Sequence, residues 1–282
     1  MTIALAIPTT RSALIVAGKG IAAPIQMKLC VNNLSHRVSY STKPNNNCVP
    51  NDCYWAKIKA RMHKFLSLDQ LIQFYDRMGA KQDTQAFYED PATDCLLTHV
   101  DFRNAHQVFE LGCGTGRFAQ KLLNNCLPQD CTYRGVDVSA VMVQLAQKRL
   151  GRWPQRARVD LVTKVGLSDF NECCDHFVAN YVLDLMSPDQ IRSTLNDAHR
   201  MLSPQGELCL VSLTKGQKLL SKSVTAAWRL IHHLNPSLVG GCRPIVIEEF
   251  VKASHWKITY NKTVSAYGVP SEILIATRVG SH

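Results

Sequence analysis

The chain contains no C-x-x-C pair, although it has eleven cysteines. Apart from the adjacent Cys173-Cys174, its nearest spacings, Cys48 to Cys53 and Cys126 to Cys131, are not the usual ligand pattern of a structural zinc site. Cys113, Cys174 and Cys209 fall in expected strands or a glycine turn, where a free thiol behaves as a small hydrophobe, and this usage fits a reducing compartment. No uninterrupted apolar run approaches the ~20 residues that a bilayer-spanning helix needs. There is no internal repeat, and no interleaving of basic and aromatic residues of the kind that marks a nucleic-acid module. Finally, residues 1–51 lack any acid while carrying Arg11, Lys19, Lys28, Arg37 and Lys43.

That last absence relocates the charge. The formal net charge is +10; subtracting the five cations of residues 1–51 leaves +5 for the remainder, a moderate excess that does not call for a nucleic-acid partner. The polar tract Ser41-Thr-Lys-Pro-Asn-Asn-Asn47 and scattered arginines give residues 1–53 the composition of a mitochondrial or plastid transit peptide. A plain disordered leader, leaving the protein cytoplasmic, reads equally well. A secretory signal fits less well, because no cation precedes Met1 to Ile7 and Lys19 interrupts the next apolar run. With 46% hydrophobic residues the rest is ample for a packed core.

The most informative stretch is Val108-Phe109-Glu110-Leu111-Gly112-Cys113-Gly114-Thr115-Gly116-Arg117-Phe118. It reads as a strand, a glycine turn and the start of a helix, since the apolar pattern becomes helical from Phe118 with Leu122 and Leu123 one turn on. Three glycines at alternate positions let backbone approach a ligand where Cβ atoms would block it. The free N–H groups and positive end of the helix suit a carboxylate or phosphate. Next, Cys131 to Asp137 reads as a second strand whose terminal carboxylate can accept both hydroxyls of a ribose, with Ser139 as the following N-cap. The combination points to a nucleoside ligand.

The spacing is G-x-G-x-G rather than the G-x-G-x-x-G of dinucleotide binding, with Glu110 two residues before the first glycine. In this it resembles the first motif of class I S-adenosylmethionine-dependent methyltransferases. The resemblance implies that Glu110, Gly112, Gly114 and Gly116 orient the loop and the methionine end of that cofactor and that Asp137 holds its ribose. One departure concerns the adenine: many relatives have an acid before the glycine that follows the third strand, whereas Val165 precedes Gly166 here. Asp169 or the backbone near Leu167 and Ser168 is left to substitute.

The remaining pattern predicts an α/β fold. Helical spacing recurs in Trp55, Ile58 and Met62, then in Leu68, Leu71, Ile72 and Tyr75, and again from Phe87 to Val100, so residues 54–104 are expected to form a helical cap and partial lid. After Asp137 come a helix from Val141 to Leu150, strands from Val159 to Thr163 and Asp175 to Asn180, a helix from Pro188 to Leu202, and a strand from Glu207 to Leu213 after the break Ser203-Pro-Gln-Gly206. Such alternation implies a parallel sheet with helices on both faces. Trp256 to Tyr260 and Glu272 to Thr277 look like an antiparallel pair flanking Gly268-Val-Pro270. By the resemblance, residues 105–282 form a Rossmann-like, mostly parallel seven-stranded sheet ending in this hairpin, with residues 215–245 inserted on the substrate side.

Open α/β sheets place ligands at the carboxyl ends of their strands. Asn180 and Tyr181, at the end of the fourth, match positions that in relatives border the methionine end of the cofactor or the substrate. Asp184 is a candidate base, with Tyr181, His232 and His233 as others, though an acceptor that arrives deprotonated needs none. The basic amphipathic stretch from Gly216 to Val239 makes Trp228 and His232 the expected substrate contacts, and its cations suit peripheral membrane contact. Arg243, in Gly240-Gly-Cys-Arg-Pro-Ile245, could grip an acceptor's carboxylate or phosphate, or pair with Glu248 or Glu249 on the surface. The expected function is methyl transfer to a small molecule, with no metal. The rivals are a methyltransferase-fold assembly partner without catalysis and a nicotinamide-dependent oxidoreductase, for which the glycine spacing and the missing Tyr-x-x-x-Lys pair are both wrong.

Overall fold

A computed structural model describes residues 65–163, 167–168, 170, 174–217 and 219–279. The leader, the expected helix containing Trp55, Ile58 and Met62, and Val165, Gly166 and Asp169 lie outside these residues.

The described chain opens with helix α1 (Leu68–Met78), started by a capping box in which Ser67 accepts from the Gln70 amide while the Gln70 side chain accepts from the Ser67 amide. A 3-10 segment, Gly79–Gln85, leads into α2 (Ala86–His99). Alternation then begins: β1 (Gln107–Leu111), α3 (Arg117–Asn125), β2 (Thr132–Asp137), α4 (Ala140–Leu150), β3 (Ala157–Leu161), β4 (Cys174–Asn180), α5 (Pro188–Met201) and β5 (Leu202–Leu213). Helix α6 (Leu219–Leu234), the short α7 (Ile247–Lys252), β6 (Trp256–Ala266) and β7 (Val269–Arg278) complete the chain.

The seven strands form one sheet in the order β3-β2-β1-β4-β5-β7-β6. The first five are parallel, and β7 enters antiparallel between β5 and β6. A doubly wound dinucleotide domain runs 3-2-1-4-5-6, so the inserted antiparallel strand separates this architecture from the nicotinamide alternative.

Successive residues of each central strand feed opposite cores, as a sheet covered on both faces requires. Val108, Val178, Cys209, Val211 and Ile273 pack with α2, α3 and α4 on one side. Phe109, Phe177, Ala179, Leu208 and Leu274 pack with α5 and α7 on the other. Phe109 and Phe177 are fully buried and stack with centroids 5.4 Å apart, each worth roughly 2–3 kcal/mol of burial.

Several expected boundaries shift: β3 runs Ala157–Leu161 rather than Val159 to Thr163, β7 begins at Val269 rather than Glu272, and two further shifts have a local cause. The break Ser203-Pro-Gln-Gly206 lies inside β5, as an irregularity in the pairing with β4 between the Cys174–Leu202 and His176–Glu207 pairs, so the strand begins at Leu202 rather than Glu207. The hairpin strand β6 runs on from Tyr260 to Ala266, because an edge strand tolerates outward polar residues such as Asn261, Lys262 and Ser265. The described cysteines are all free thiols.

Candidate active site

The carboxyl ends of β1, β2 and β4 open into a crevice of about 1010 Å³, counting its mouth. Its floor is Leu111, Gly112 and Gly114, its far wall Val136, Asp137 and Val138, and its near wall Asn180, Tyr181 and Val182. Helix α1 lays Leu68, Leu71 and Tyr75 along it. A smaller side pocket of about 550 Å³ adjoins, lined by Gln82, Glu89, Glu110, Arg117, Asn180 and Tyr181 among others.

Backbone conformation explains the glycines. Gly112 and Gly114 have φ of 68° and 51°, a region that L side chains enter at a cost of about 1–2 kcal/mol. A Cβ on Gly112 would sit 2.2 Å from Val182 Cγ2, and one on Gly114 would sit 2.7 Å from Gln82 Oε1. Gly116, also left-handed, caps α3 and faces Ala146, so it lines neither cavity.

Asp137 ties this loop to β2. One carboxylate oxygen accepts from the Gly114 amide and the other from the Ser139 amide, both at 2.9 Å. Burial pushes its carboxyl above the ordinary range, against the pull of those amides. Ser139 caps α4 by accepting from the Met142 amide, and its hydroxyl donates to Asp76 of α1 at 2.6 Å. Glu110 is buried and accepts from the Tyr133 hydroxyl at 2.6 Å. Desolvation raises it to about 7, with the Tyr133 hydroxyl and the nearby Asn180 amide drawing it down. The buried atoms Oδ1 and Nδ2 of Asn180, and Oε1 of Gln82, have no hydrogen-bond partner of good geometry. Buried polar groups are nearly always paired; with Asn180 Nδ2 turned to Glu110, the carbonyl oxygens of Asn180 and Gln82 on the cavity walls are the acceptors open to a polar ligand.

The segment before β1 is riveted to the loop by charge. Thr115 donates to Asp83 at 2.6 Å, and Arg149 pairs with Asp83 and donates to Thr115. Arg117 bridges Glu89 at 2.6 Å and Asp90, while Lys121 pairs with Asp94 at 2.6 Å. Burial lifts Glu89 to about 7 even with Arg117 beside it. These partners were not legible as site residues: acids scattered over a cap helix look like a solvated face. The nearest signal is Arg117 directly after the last glycine, a cation inside the first turn of a helix that calls for a counter-charge.

The crevice and side pocket thus bring together Glu110, Gly112, Gly114, Asp137, Asn180 and Tyr181. Tyr181 holds a left-handed backbone with φ 55°, shared among the described non-glycine residues by Tyr267 alone, and is fixed by its amide donating to Val211 O at 2.7 Å. Its hydroxyl donates to Ser271 at 2.9 Å and burial pushes it far above the usual phenol range, so it forms a wall rather than a proton acceptor. Asp184 is fully buried behind the wall, lines neither cavity, and is raised to about 7 by desolvation. Trp228, His232 and Arg243 also lie off both linings. The Trp228 indole donates to Cys242 O at 3.0 Å, and His232 lies on the buried face of α6 while His233 is exposed. Arg243 pairs with neither Glu248 nor Glu249: its guanidinium donates to Met186 O at 2.5 Å and lies 5.0 Å over the Phe65 ring. Leu167 lines the crevice, but its amide already donates to Asp197 at 3.0 Å.

Comparison with known proteins agrees with this geometry. Residues 109–208 match the family described as a methyltransferase domain. The carboxy-S-adenosyl-L-methionine synthases of Chromohalobacter salexigens and Trichodesmium erythraeum are each 28% identical, over 116 residues (41% of this chain, 43% of the relative) and 139 residues (49% and 54%) respectively. The chain therefore spans about half the length of the curated relatives it matches. Among solved structures, the N-methyltransferase NodS from Bradyrhizobium japonicum in complex with S-adenosyl-L-homocysteine superposes with a TM-score of 0.58 at 17% identity, covering 75% of this chain and all of that one. A likeness at that identity speaks for the fold alone.

Proposed function

Residues 109–208 are a methyltransferase domain, set on the sheet of the class I S-adenosylmethionine-dependent family, and from that premise we propose that this chain binds S-adenosylmethionine in the crevice and moves its methyl group to a small-molecule acceptor by direct displacement. The observation that carries this reading is the convergence on one cavity of Gly112 and Gly114, the Asp137 carboxylate and the open carbonyl oxygen of Asn180.

The residues present fit that cofactor. A carboxylate offers about four acceptor sites, and Asp137, which accepts from the Gly114 and Ser139 amides and is drawn down by the Val138 amide as well, keeps acceptor capacity for the ribose hydroxyls. Val138, Val162 and Leu167 offer an apolar slot for the adenine. Asn180, Gln82 and Glu110, which line the side pocket near the start of α3, would hold the amino-acid end. When bound, the cofactor supplies a methyl group activated by a sulfonium. The chain's own work is positioning and drying: Leu68, Leu71 and Tyr75 exclude water, and orientation of two reactants can contribute on the order of 7–11 kcal/mol. An amine or thiolate acceptor needs no base; for a hydroxyl acceptor, Glu89 and Glu110 are the two carboxyls near neutrality that line the side pocket.

The test is incubation of the purified chain with methyl-labelled S-adenosylmethionine and a metabolite extract, read by mass spectrometry. Labelled small-molecule product and release of S-adenosylhomocysteine, both abolished by Asp137→Ala, support the proposal. Absence of labelled product with the native chain, while label appears on the chain itself or nowhere, contradicts it.

A further inference from the structure

Helix α6 is inside out. Ser221, Thr225, Trp228 and His232, spaced i, i+4, i+7 and i+11, form the face turned toward the protein. Three of those four residues are polar, and Val224 and Trp228 are the apolar side chains of the helix that pack inward. The large aliphatic side chains point the other way: Leu219, Leu220, Leu230, Ile231, Leu234 and, in the turn beyond, Leu238 are all exposed, with Leu219 at 86%, Leu234 at 69% and Leu238 at 70% of full accessibility. A helix packed for the sake of its own protein does the reverse. Among the described residues nothing covers this face.

The patch continues past the helix. Gly268, in the β6–β7 turn, lies against Leu220 and Val224, and its neighbour Tyr267 is 80% exposed with its ring edge on Phe87, itself half in solvent. An amphipathic ring at the border of an aliphatic patch is the arrangement found at a water–lipid boundary. Charge identifies the occupant. Between Glu207 and Glu248 the chain has no acid, while Lys215, Lys222, Arg229 and His233 stand exposed around the leucines. Two copies meeting through this face would set these cations against one another, whereas an anionic surface would neutralise them.

We propose that α6 and the Tyr267 turn dock the protein on a membrane rich in anionic lipid, lying in the interface with the leucines among the acyl chains and the cations at the headgroups. The element lies on the bilayer rather than crossing it, since no described helix is long and apolar enough to span one. The inference is independent of which ligand fills the crevice.

Co-sedimentation of the full chain with vesicles decides it. Binding is expected to vesicles of phosphatidylcholine with phosphatidylglycerol, to weaken about tenfold or more in phosphatidylcholine alone or in high salt, and to fall by a similar factor in Leu230→Asp/Leu234→Asp and in Lys222→Glu/Arg229→Glu. All four positions are exposed, so far-UV circular dichroism and S-adenosylhomocysteine binding should match the native chain. Failure of the native chain to sediment with anionic vesicles, or equal sedimentation of both variants, overturns the proposal. So does light scattering that shows a native dimer converted to monomer by Leu230→Asp/Leu234→Asp, since the face would then belong to a second copy.

Discussion

Replacing Gly112 with alanine tests the claim that the loop is glycine for steric reasons at a named contact. The new Cβ would lie 2.2 Å from Val182 Cγ2 and 3.4 Å from Val182 Cβ and Cγ1, at a backbone φ of 68°. Two costs add: about 1–2 kcal/mol for an L side chain in the left-handed region, and about 1–3 kcal/mol for overpacking against Val182. Unfolding in urea should show a loss of roughly 2–5 kcal/mol, which for a domain of this size is a drop in Tm on the order of 10 °C. Only the second cost depends on Val182. In Gly112→Ala/Val182→Ala the offending methyl is gone and the nearest remaining atom is at ordinary contact distance, so the double variant should recover about 1–3 kcal/mol relative to the sum of the single changes. Costs that add within about 0.5 kcal/mol would refute the reasoning, because residues in contact must couple.

Three further outcomes follow from the same structure. Asp184 is buried and raised to about 7, above its unfolded value, so the folded chain binds the extra proton; stability is highest below the unfolded carboxylate range and is lost as pH rises toward 7. Asp184→Asn should therefore be more stable than the native chain at pH 8 by a few kcal/mol and lose that advantage near pH 4, read by urea midpoints at both values. Arg117→Met leaves Glu89 buried without its partner, and should cost about 3–5 kcal/mol near pH 8 and less at pH 5, where Glu89 can take up a proton; an equal loss at both would show that the pair does not hold the cap. Asn180→Ala should weaken S-adenosylhomocysteine binding by roughly tenfold, about 1–2 kcal/mol for a lost buried hydrogen bond; native-like binding would show that this amide does not meet the ligand.

What could be read directly from the chain was whatever depends on near neighbours. The strand ending at Leu111, the glycine turn, the helix after it, and Asp137 closing the next strand are each written in a few consecutive residues, and the central strands are long apolar runs because both faces are covered. The terminal hairpin was recognisable in its partners though not in its length, since the polar outer half of β6 carries no hydrophobic signal. Long-range pairing was invisible: nothing local tells that Asp83 meets Thr115 and Arg149, or that Glu89 meets Arg117. Periodicity revealed two faces on α6 but not which one turns inward, and Trp228 anchors the helix to Cys242 O instead of entering a substrate pocket. Arg243 looked like an anion grip because a cation beside Gly-Gly and Pro stands out; in the fold its reach is spent on Met186 O.

The central claim is that the crevice above the glycine loop receives S-adenosylmethionine through Asp137. Isothermal titration of the full chain with S-adenosylhomocysteine addresses it most directly. The account predicts saturable one-to-one binding that weakens about a hundredfold in Asp137→Ala, the equivalent of two charge-assisted hydrogen bonds at about 1.5 kcal/mol each. No binding by the native chain, or undiminished binding by the variant, would contradict it.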